Sequence, residues 1–123
     1  MNIVLLRRGV KVGSQSLLTV PGRTTGIPRS TPISVAMVDG RRYLVAAFGD
    51  AAWVANVRAA RRGTLTRGGA TVEVGLTEVP VAERGPILRA FLYQVRGGAR
   101  FFGSRSPDEI VAEAERYPVF RVS

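Results

Sequence analysis

The chain has 123 residues, a mass of 13.2 kDa and 46% hydrophobic residues, so we expect a single domain, residues 1–123, with a core of its own. The absence of cysteine and histidine excludes thiolate nucleophiles, Cys/His zinc sites, disulfides and imidazole acid–base catalysis. The formal net charge of +9 indicates an anionic partner, which leaves nucleic acid, membrane phosphate or a multiply charged cofactor as alternatives. The lack of cysteine suits a cytoplasmic location.

Residues 1–13 begin with a short apolar run, Ile3–Leu6, which is followed by Arg7, Arg8 and Lys11. This run is too short for a membrane span or for the core of a secretory signal. We expect an N-terminal helix or arm that packs on the rest of the chain. Peripheral contact between these basic residues and an anionic membrane is the alternative.

Six segments have the composition and alternation of strands. The strongest signal is Asp39-Gly40, a two-residue hairpin turn between two apolar runs, and Gly68-Gly69 marks a second hairpin. The predicted strands are residues 16–20, 32–38, 41–48, 64–67, 71–79 and 119–122. Together with helices between strands, they predict an α+β fold in which a mostly antiparallel sheet curls into a small barrel.

Two segments have helical periodicity. The first helix is predicted over residues 51–62, with Asp50 as its N-cap and Gly63 as its end. The second is predicted over residues 81–96, with Pro86 in its first turn. Residues 97–108 are predicted to be irregular and lid-like, up to a helix start at Ser106-Pro107.

The segment Thr19–Pro32 combines the residue types that bind anions. Two glycines expose backbone N–H groups, two threonines offer hydroxyl donors, and Arg23 and Arg29 offer charged donors. Because this segment follows a predicted strand, it is typical of a phosphate-binding loop. A solvated, arginine-rich hairpin is the alternative interpretation.

Two further groups have a functional and a structural interpretation. Trp53 and Asn56, one helical turn apart, suit stacking and amide recognition of a planar ring, although a tryptophan on an amphipathic helix is more often part of the core. Glu109 and Glu113 have a spacing that suits a divalent cation, but we favour a solvated helix face and no metal.

Three motifs in this order resemble the deazaflavin-dependent nitroreductase family, which includes quinone reductases. They are Leu18–Arg29 with the pattern G-R-x-x-G-x-x-R, Tyr43–Gly49, and Trp53–Ala59 with the pattern W-x-x-N. Members are split β-barrel reductases related to the flavin-binding pyridoxamine-phosphate oxidase group. The resemblance implies an oxidoreductase that uses reduced coenzyme F420, a deazaflavin with a phosphate and an acidic tail, to deliver hydride to a nitroaromatic, quinone or conjugated enone.

The resemblance also implies roles for individual residues. The phosphate and acidic tail would be held by Arg23, Thr24, Thr25 and Arg29, with Pro32 lining the same channel and Arg58 assisting. The deazaflavin ring would be bordered by Ala46, Ala47, Phe48 and Gly49 and flanked by Trp53 and Asn56. No residue is assigned as the catalytic acid, although Tyr43, Tyr93 and Tyr117 are available hydroxyl donors.

This sequence departs from the family pattern at two places. Members often carry lysine where this chain has Thr24, and a small polar residue followed by lysine where it has Phe48-Gly49. FMN is therefore the alternative cofactor. The expected partners are a small-molecule electron acceptor, placed near Arg100–Gly103, and in this barrel class a second copy of the chain.

Two other classes of function stay open. A non-catalytic carrier of deazaflavin or flavin would keep the same binding residues. A basic nucleic-acid-binding barrel would need exposed aromatic residues on its strands, and only Tyr43, Phe48 and Phe120 fall in predicted strands. We therefore expect no specific nucleic acid partner.

Overall fold

In the computed structural model, which describes residues 15–123, six antiparallel strands close into a barrel. The strands are β1 (Gln15–Pro21), β2 (Pro28–Val38), β3 (Arg41–Val45), β4 (Arg62–Arg67), β5 (Ala70–Glu78) and β6 (Val119–Val122). Their order around the barrel is β1-β2-β3-β6-β5-β4, and β4 pairs back to β1. The predicted α+β split-barrel fold is confirmed. The predicted N-terminal helix or arm lies outside the described residues.

The turn chemistry explains the hairpins. Asp39 and Gly40 both have positive φ, 51° and 78°. A two-residue hairpin turn requires positive φ at both residues if its twist is to match that of the strands. This turn sets the register, in which Val38 faces Arg41. The side-chain amide of Gln94 exchanges hydrogen bonds of 2.8 and 2.7 Å with the backbone N–H and carbonyl of Met37 in β2.

The described residues form two hydrophobic cores. One fills the barrel and includes Leu18, Leu44 and Phe120. The other lies outside it, where the opposite faces of β3 and β6, including Tyr43 and Val119, are covered by helices. The second half of β3, Tyr43–Val45, and most of β6 are thus buried on both sides, which is why apolar residues follow one another there.

Three α-helices are present in residues 15–123: α1 (Ala52–Ala60), α2 (Arg84–Gln94) and α3 (Pro107–Ala112). Short 3-10 turns cover Val81–Glu83, Gly98–Phe102 and Ala114–Arg116. The helix predicted over 81–96 is therefore shorter, with its first residues in a 3-10 turn. Ser106 caps α3 as predicted, in a capping box with Glu109.

Both predicted boundaries of the first helix were wrong. The Phe48 carbonyl accepts the Ala51 amide at 3.2 Å, so the chain turns there and Ala51, not Asp50, is the N-cap. Helix α1 ends at Arg61, which adopts φ 59°. Gly63 instead lies in β4, where a Cβ would come within 2.6 Å of the Thr19 carbonyl oxygen, so glycine permits the close approach of β1 and β4.

The segment 97–108 is also more ordered than predicted. Its 3-10 turn is anchored by Phe102, which is buried and contacts the rings of Phe91 and Tyr117 edge-to-face, with centroids 6.1 and 4.9 Å apart. These contacts fix the turn against α2. Within the part of the chain that the structure describes, no helix is long and apolar enough to cross a membrane.

A buried guanidinium ties the C-terminal part of the chain to β5. Arg84, only 5% exposed, donates to the carbonyl oxygens of Val79, Ala114 and Tyr117 at 2.9, 3.1 and 3.4 Å, and to a carboxylate oxygen of Glu78 at 3.1 Å. Burial lowers the pKa of Arg84 from its ordinary value, because removal from water disfavours the charged form. These four acceptors compensate that cost.

We expect Arg84→Ala to destabilise the protein by about 3 kcal/mol, because three buried carbonyl groups and a carboxylate lose a charged donor. The free energy of unfolding in urea measures this loss. Arg89→Ala is the matched control, since its ion pair with Asp108 is exposed and should contribute less than about 1 kcal/mol. Equal effects of the two substitutions would contradict the assigned role of Arg84.

Glu78 should make the stability depend on pH. Its pKa is lowered, first because Arg58 donates two hydrogen bonds to its carboxylate, at 2.9 and 2.7 Å. A lowered folded-state pKa contributes stability above the unfolded value of about 4.3, and this contribution is lost as pH falls through the folded value. We expect Glu78→Gln to be less stable than wild type at pH 7 by about 1 kcal/mol, and the gap to be smaller at pH 3, below the unfolded pKa of about 4.3. Urea titrations at both pH values test this, and a pH-independent gap would refute it.

Candidate functional site

The loop between β1 and β2 covers only Gly22–Ile27, because β2 already begins at Pro28. The loop is closed by two backbone hydrogen bonds, from the Gly22 amide to the Ile27 carbonyl at 2.9 Å and from the Gly26 amide to the Gly22 carbonyl at 2.8 Å. Gly26 has φ 77°, which glycine adopts without strain. The loop predicted between the strands 16–20 and 32–38 was therefore too long, because β2 begins four residues earlier and includes Arg29.

Asn56 on α1 binds this loop by hydrogen bonds to Arg23. It lies one turn after Trp53 on α1, is 4% exposed, and its Oδ1 accepts the Arg23 backbone N–H at 3.0 Å and the Arg23 Nη1 at 2.9 Å. One amide oxygen therefore fixes both the backbone and the guanidinium of Arg23. Sequence reasoning expected Asn56 to flank a ring, whereas the structure joins it to the loop.

The same geometry defines the orientation of the Asn56 amide. Both groups from Arg23 are donors, so Oδ1 must face them and Nδ2 must point the other way. Among residues 15–123, Nδ2 has no protein acceptor. Because a buried donor without a partner costs about 1–3 kcal/mol, this N–H group is suited to an anionic or carbonyl ligand.

A cleft of about 400 Å³ lies against this loop, and we call it the loop cleft. It is lined by Leu18, Val20, Gly22, Arg23, Thr24, Thr25, Arg29, Thr31, Ala52, Trp53 and Asn56. No carboxylate is among these described lining residues, and the Arg29 guanidinium pairs with no described residue. The N-terminal end of α1, at Ala52, adds the positive end of a helix dipole. The loop cleft can therefore bind an anion.

A second cleft, of about 180 Å³, lies next to the first and shares Trp53 with it. This apolar cleft is lined by Gln15, Pro32, Ile33, Ser34, Val45, Ala46, Ala47, Phe48, Ala51, Trp53, Phe91 and Phe101. Trp53 is partly buried, and its ring meets that of Phe120 edge-to-face at 5.8 Å. Trp53 thus lies between the loop cleft and the apolar cleft. The apolar cleft is large enough for part of a planar ring.

A third cleft, of about 460 Å³, shares Ala47, Phe48 and Phe101 with the apolar cleft. We call it the arginine cleft, because it is lined by Arg100, Arg105 and Arg116, together with Gly49, Asp50, Phe102, Gly103 and Tyr117. Gly49 thus lies here and not in the apolar cleft. Of the three tyrosines, Tyr43 is buried in the outer core and Tyr93 is exposed. The third, Tyr117, is buried and lines the arginine cleft.

Arg58 is not brought to the predicted site. Two residues along α1 correspond to a rotation of about 200°, so Arg58 lies on the opposite face of the helix from Asn56. Its guanidinium pairs with Glu78, with N–O distances of 2.9 and 2.7 Å. This pairing raises the pKa of Arg58. In the sequence, only its positive charge made Arg58 a candidate for the anionic cofactor, and Glu78 of β5 neutralises that charge.

The acidic residues near the C-terminus serve local structure. Glu109 accepts the Ser106 amide in the capping box, which lowers the pKa of Glu109, and Glu113 pairs with Arg105 and with Arg116. In the described residues, no group of three or more carboxylates is arranged to hold a metal ion. Glu109 thus belongs to the predicted helix start, whereas Glu113, predicted to be solvated, pairs with two arginines.

Sequence reasoning missed several lining residues. Leu18, Val20 and Thr31 line the loop cleft from the strands, and Phe91 lines the apolar cleft from α2. Alternation along β1 and the apolar stripe of α2 identify three of these only as core residues. Their position at a cleft depends on which end of the barrel each strand reaches, and local sequence does not encode this.

Comparison with known structures shows the same fold. A structure described as an F420-H2 dependent reductase (FDR-A) matches with a TM-score of 0.63 at 22% identity, over 89% of this chain and 93% of that one. A structure described as a domain-swapped dimer matches at 0.64 and 20%, over 98% and 95%. An FAD-binding protein from Mesorhizobium loti matches at 0.64 and 14%, over 99% and 88%.

None of the curated protein sequences compared with the chain matches it significantly. A family model described as F420H(2)-dependent quinone reductase matches residues 6–101, well over half of the chain. That range contains the loop cleft, the apolar cleft and the whole of α1. The chain therefore belongs to the F420H(2)-dependent quinone reductase family, an oxidoreductase family.

Proposed function

We propose that this protein binds reduced F420 across the loop cleft and the apolar cleft and reduces a quinone. The observation that carries the proposal is that the buried Asn56, whose Nδ2 has no acceptor among residues 15–123, lines a cleft with two arginines and no carboxylate among its described lining residues. A phosphate with an acidic tail suits this donor set. The adjoining apolar cleft suits the uncharged ring of the same molecule.

Each residue of the loop cleft would have a separate task toward the anionic part of the cofactor. Arg23 is already oriented by Asn56, so little side-chain entropy is lost on binding. Arg29 would supply a guanidinium that has no partner among the described residues. Thr24 would offer its hydroxyl, and Thr25, whose oxygen accepts the Ile27 amide at 3.2 Å, still has a hydroxyl hydrogen to donate.

The apolar cleft would position the ring. Ala46 and Ala47 are small residues at the end of β3, and Pro32 and Phe48 border the same space. When bound in reduced form, the deazaflavin supplies a hydride, so the protein itself needs no histidine or cysteine for the redox step. Pro32, Ala46, Ala47 and Phe48 would orient the ring and exclude water from one side of it.

The two arginines and two threonines that line the loop cleft favour F420 over FMN, since F420 carries an acidic tail in addition to a phosphate. Within the family reaction, a quinone is the proposed acceptor, and nitroaromatic and enone acceptors are proposed as further substrates. Cytoplasmic location, a homodimer and membrane contact through the N-terminal segment stay predictions from sequence. A fluorescence titration with F420 beside FMN tests the cofactor, and tighter binding of FMN would overturn the proposal.

Arg29→Ala should weaken F420 binding by about 10- to 100-fold, because loss of a charge-assisted contact costs about 1.5–3 kcal/mol. Arg41→Ala is the matched control, since Arg41 is exposed beyond the far end of the 11-residue strand β2. Its F420 affinity should stay within about twofold of wild type. Equal affinities of the two variants would remove Arg29 from the site.

Asn56→Asp separates the two functions of Asn56. The carboxylate keeps an acceptor for Arg23 but lacks the Nδ2 donor and adds a negative charge, so we expect F420 affinity to fall about tenfold or more. Thermal unfolding should change less than for Asn56→Leu, which removes the acceptor as well. The proposal fails if Asn56→Asp binds F420 as tightly as wild type.

Oxidation of reduced F420 with menadione distinguishes a reductase from a carrier. We expect an enzyme-dependent absorbance increase at the F420 maximum that requires the quinone and saturates with it. The variant Arg29→Ala should lower kcat/KM by the same factor as it weakens F420 binding, provided that F420 is subsaturating. Binding of F420 without acceptor-dependent oxidation would identify a carrier.

A further inference from the structure

The arginine cleft continues from the apolar cleft past two exposed aromatic rings. Phe48 is 63% exposed and Phe101 is 48% exposed, and both line the two clefts. Exposed apolar side chains that line the same cleft together form a surface suited to contact with a ligand or a partner. Because both side chains line both clefts, a molecule bound in the arginine cleft would lie next to one bound in the apolar cleft.

Phe101 is held in place although it is exposed. The neighbouring residue, Phe102, is 6% exposed and packs against the rings of Phe91 and Tyr117. Gly97 and Gly103, with φ of 73° and 70°, lie at the two ends of this 3-10 turn. The buried ring thus fixes the turn, and the turn presents Phe101 to the cleft.

The charge of the cleft is positive. Arg105 and Arg116 share the carboxylate of Glu113, and Asp50 is the acidic residue among the described lining residues. The three arginines therefore outnumber these two carboxylates. Arg100 is exposed, and its guanidinium pairs with no described residue. A free guanidinium beside two aromatic rings suits a flat molecule that carries an anionic group.

We propose that the arginine cleft is the acceptor subsite and that Arg100 makes the enzyme select planar quinones with a carboxylate or sulfonate group. This inference rests on the proposed function, because it takes the apolar cleft as the ring site. Phe48 and Phe101 contact the acceptor ring, and Arg100 pairs with its anionic substituent. The acceptor then lies beside the position from which hydride is delivered.

The reaction with a sulfonated quinone balances without a further reagent. The quinone accepts a hydride from the reduced deazaflavin and a proton from solvent and becomes the hydroquinone. Reduced deazaflavin, held in the apolar cleft by Ala46, Ala47 and Trp53, would supply the hydride and release one proton to solvent, a two-electron oxidation that balances the reduction of the quinone. The sulfonate is unchanged, so its contact with Arg100 contributes to binding and orientation.

Paired acceptors test the selectivity. We measure kcat/KM with reduced F420 for 1,4-naphthoquinone-2-sulfonate and for menadione. The ratio of the two kcat/KM values is then compared between variants. The two quinones differ in redox potential, but this difference is the same for every variant and cancels in the comparison. Arg100→Gln should lower this ratio about five- to tenfold, as expected for one charge-assisted contact at a partly solvated site. Arg41→Gln should keep the wild-type ratio. A change below twofold in Arg100→Gln would overturn the proposal.

A binding experiment tests the cleft without turnover. Naphthalene-1-sulfonate cannot be reduced by hydride, and its affinity for the protein is measured by calorimetry at low and at physiological salt. We expect saturable binding that weakens about fivefold in Arg100→Gln and not in Arg41→Gln. Equal affinity in both variants, or no binding at millimolar concentration, refutes the proposed subsite. If F420 neither binds nor reacts, the proposed function fails, whereas this experiment still decides on the cleft.

Discussion

Closure of the barrel by the four-residue strand β6 is the constraint on which the candidate site depends. This strand pairs with β3 on one side and with β5 on the other. Phe120, 1% exposed, points into the barrel and meets the ring of Trp53, so closure seats α1 over the barrel. One turn further along α1, Asn56 then reaches Arg23. The loop is therefore held by a residue that the last strand positions.

The many arginines have different roles, which the net charge conceals. Arg58 and Arg84 converge on Glu78, where they tie α1 and α2 to β5. Arg23 is oriented by an amide, whereas Arg29 and Arg100 pair with no described residue. A paired guanidinium has fewer donors left for a ligand, so an unpaired one that lines a cleft is better suited to bind an anion there. Of the chain's 18 basic residues, five described ones line the two clefts on either side of the apolar cleft: Arg23, Arg29, Arg100, Arg105 and Arg116.

The three clefts form a continuous series through shared residues: Trp53 joins the loop cleft to the apolar cleft, and Phe48 and Phe101 join the apolar cleft to the arginine cleft. This order suits a cofactor with a charged tail and a flat ring, followed by its acceptor. The family performs its redox step with F420, so the missing histidine and cysteine side chains are no obstacle. The protein contributes binding, orientation and shape.

The sequence by itself determined the strands, the Asp39-Gly40 hairpin, the cap at Ser106 and the family, because alternation, turn chemistry and motif spacing are local properties. It did not determine the start of α1. The N-cap is Ala51 and not Asp50, because a backbone turn that begins at Phe48 shifts the start of the helix by one residue. Only the tertiary structure decided which arginines are free. From the sequence both Arg29 and Arg58 are candidates to bind the acidic part of the cofactor, but the Glu78 carboxylate of β5 pairs with Arg58, and no described side chain pairs with Arg29.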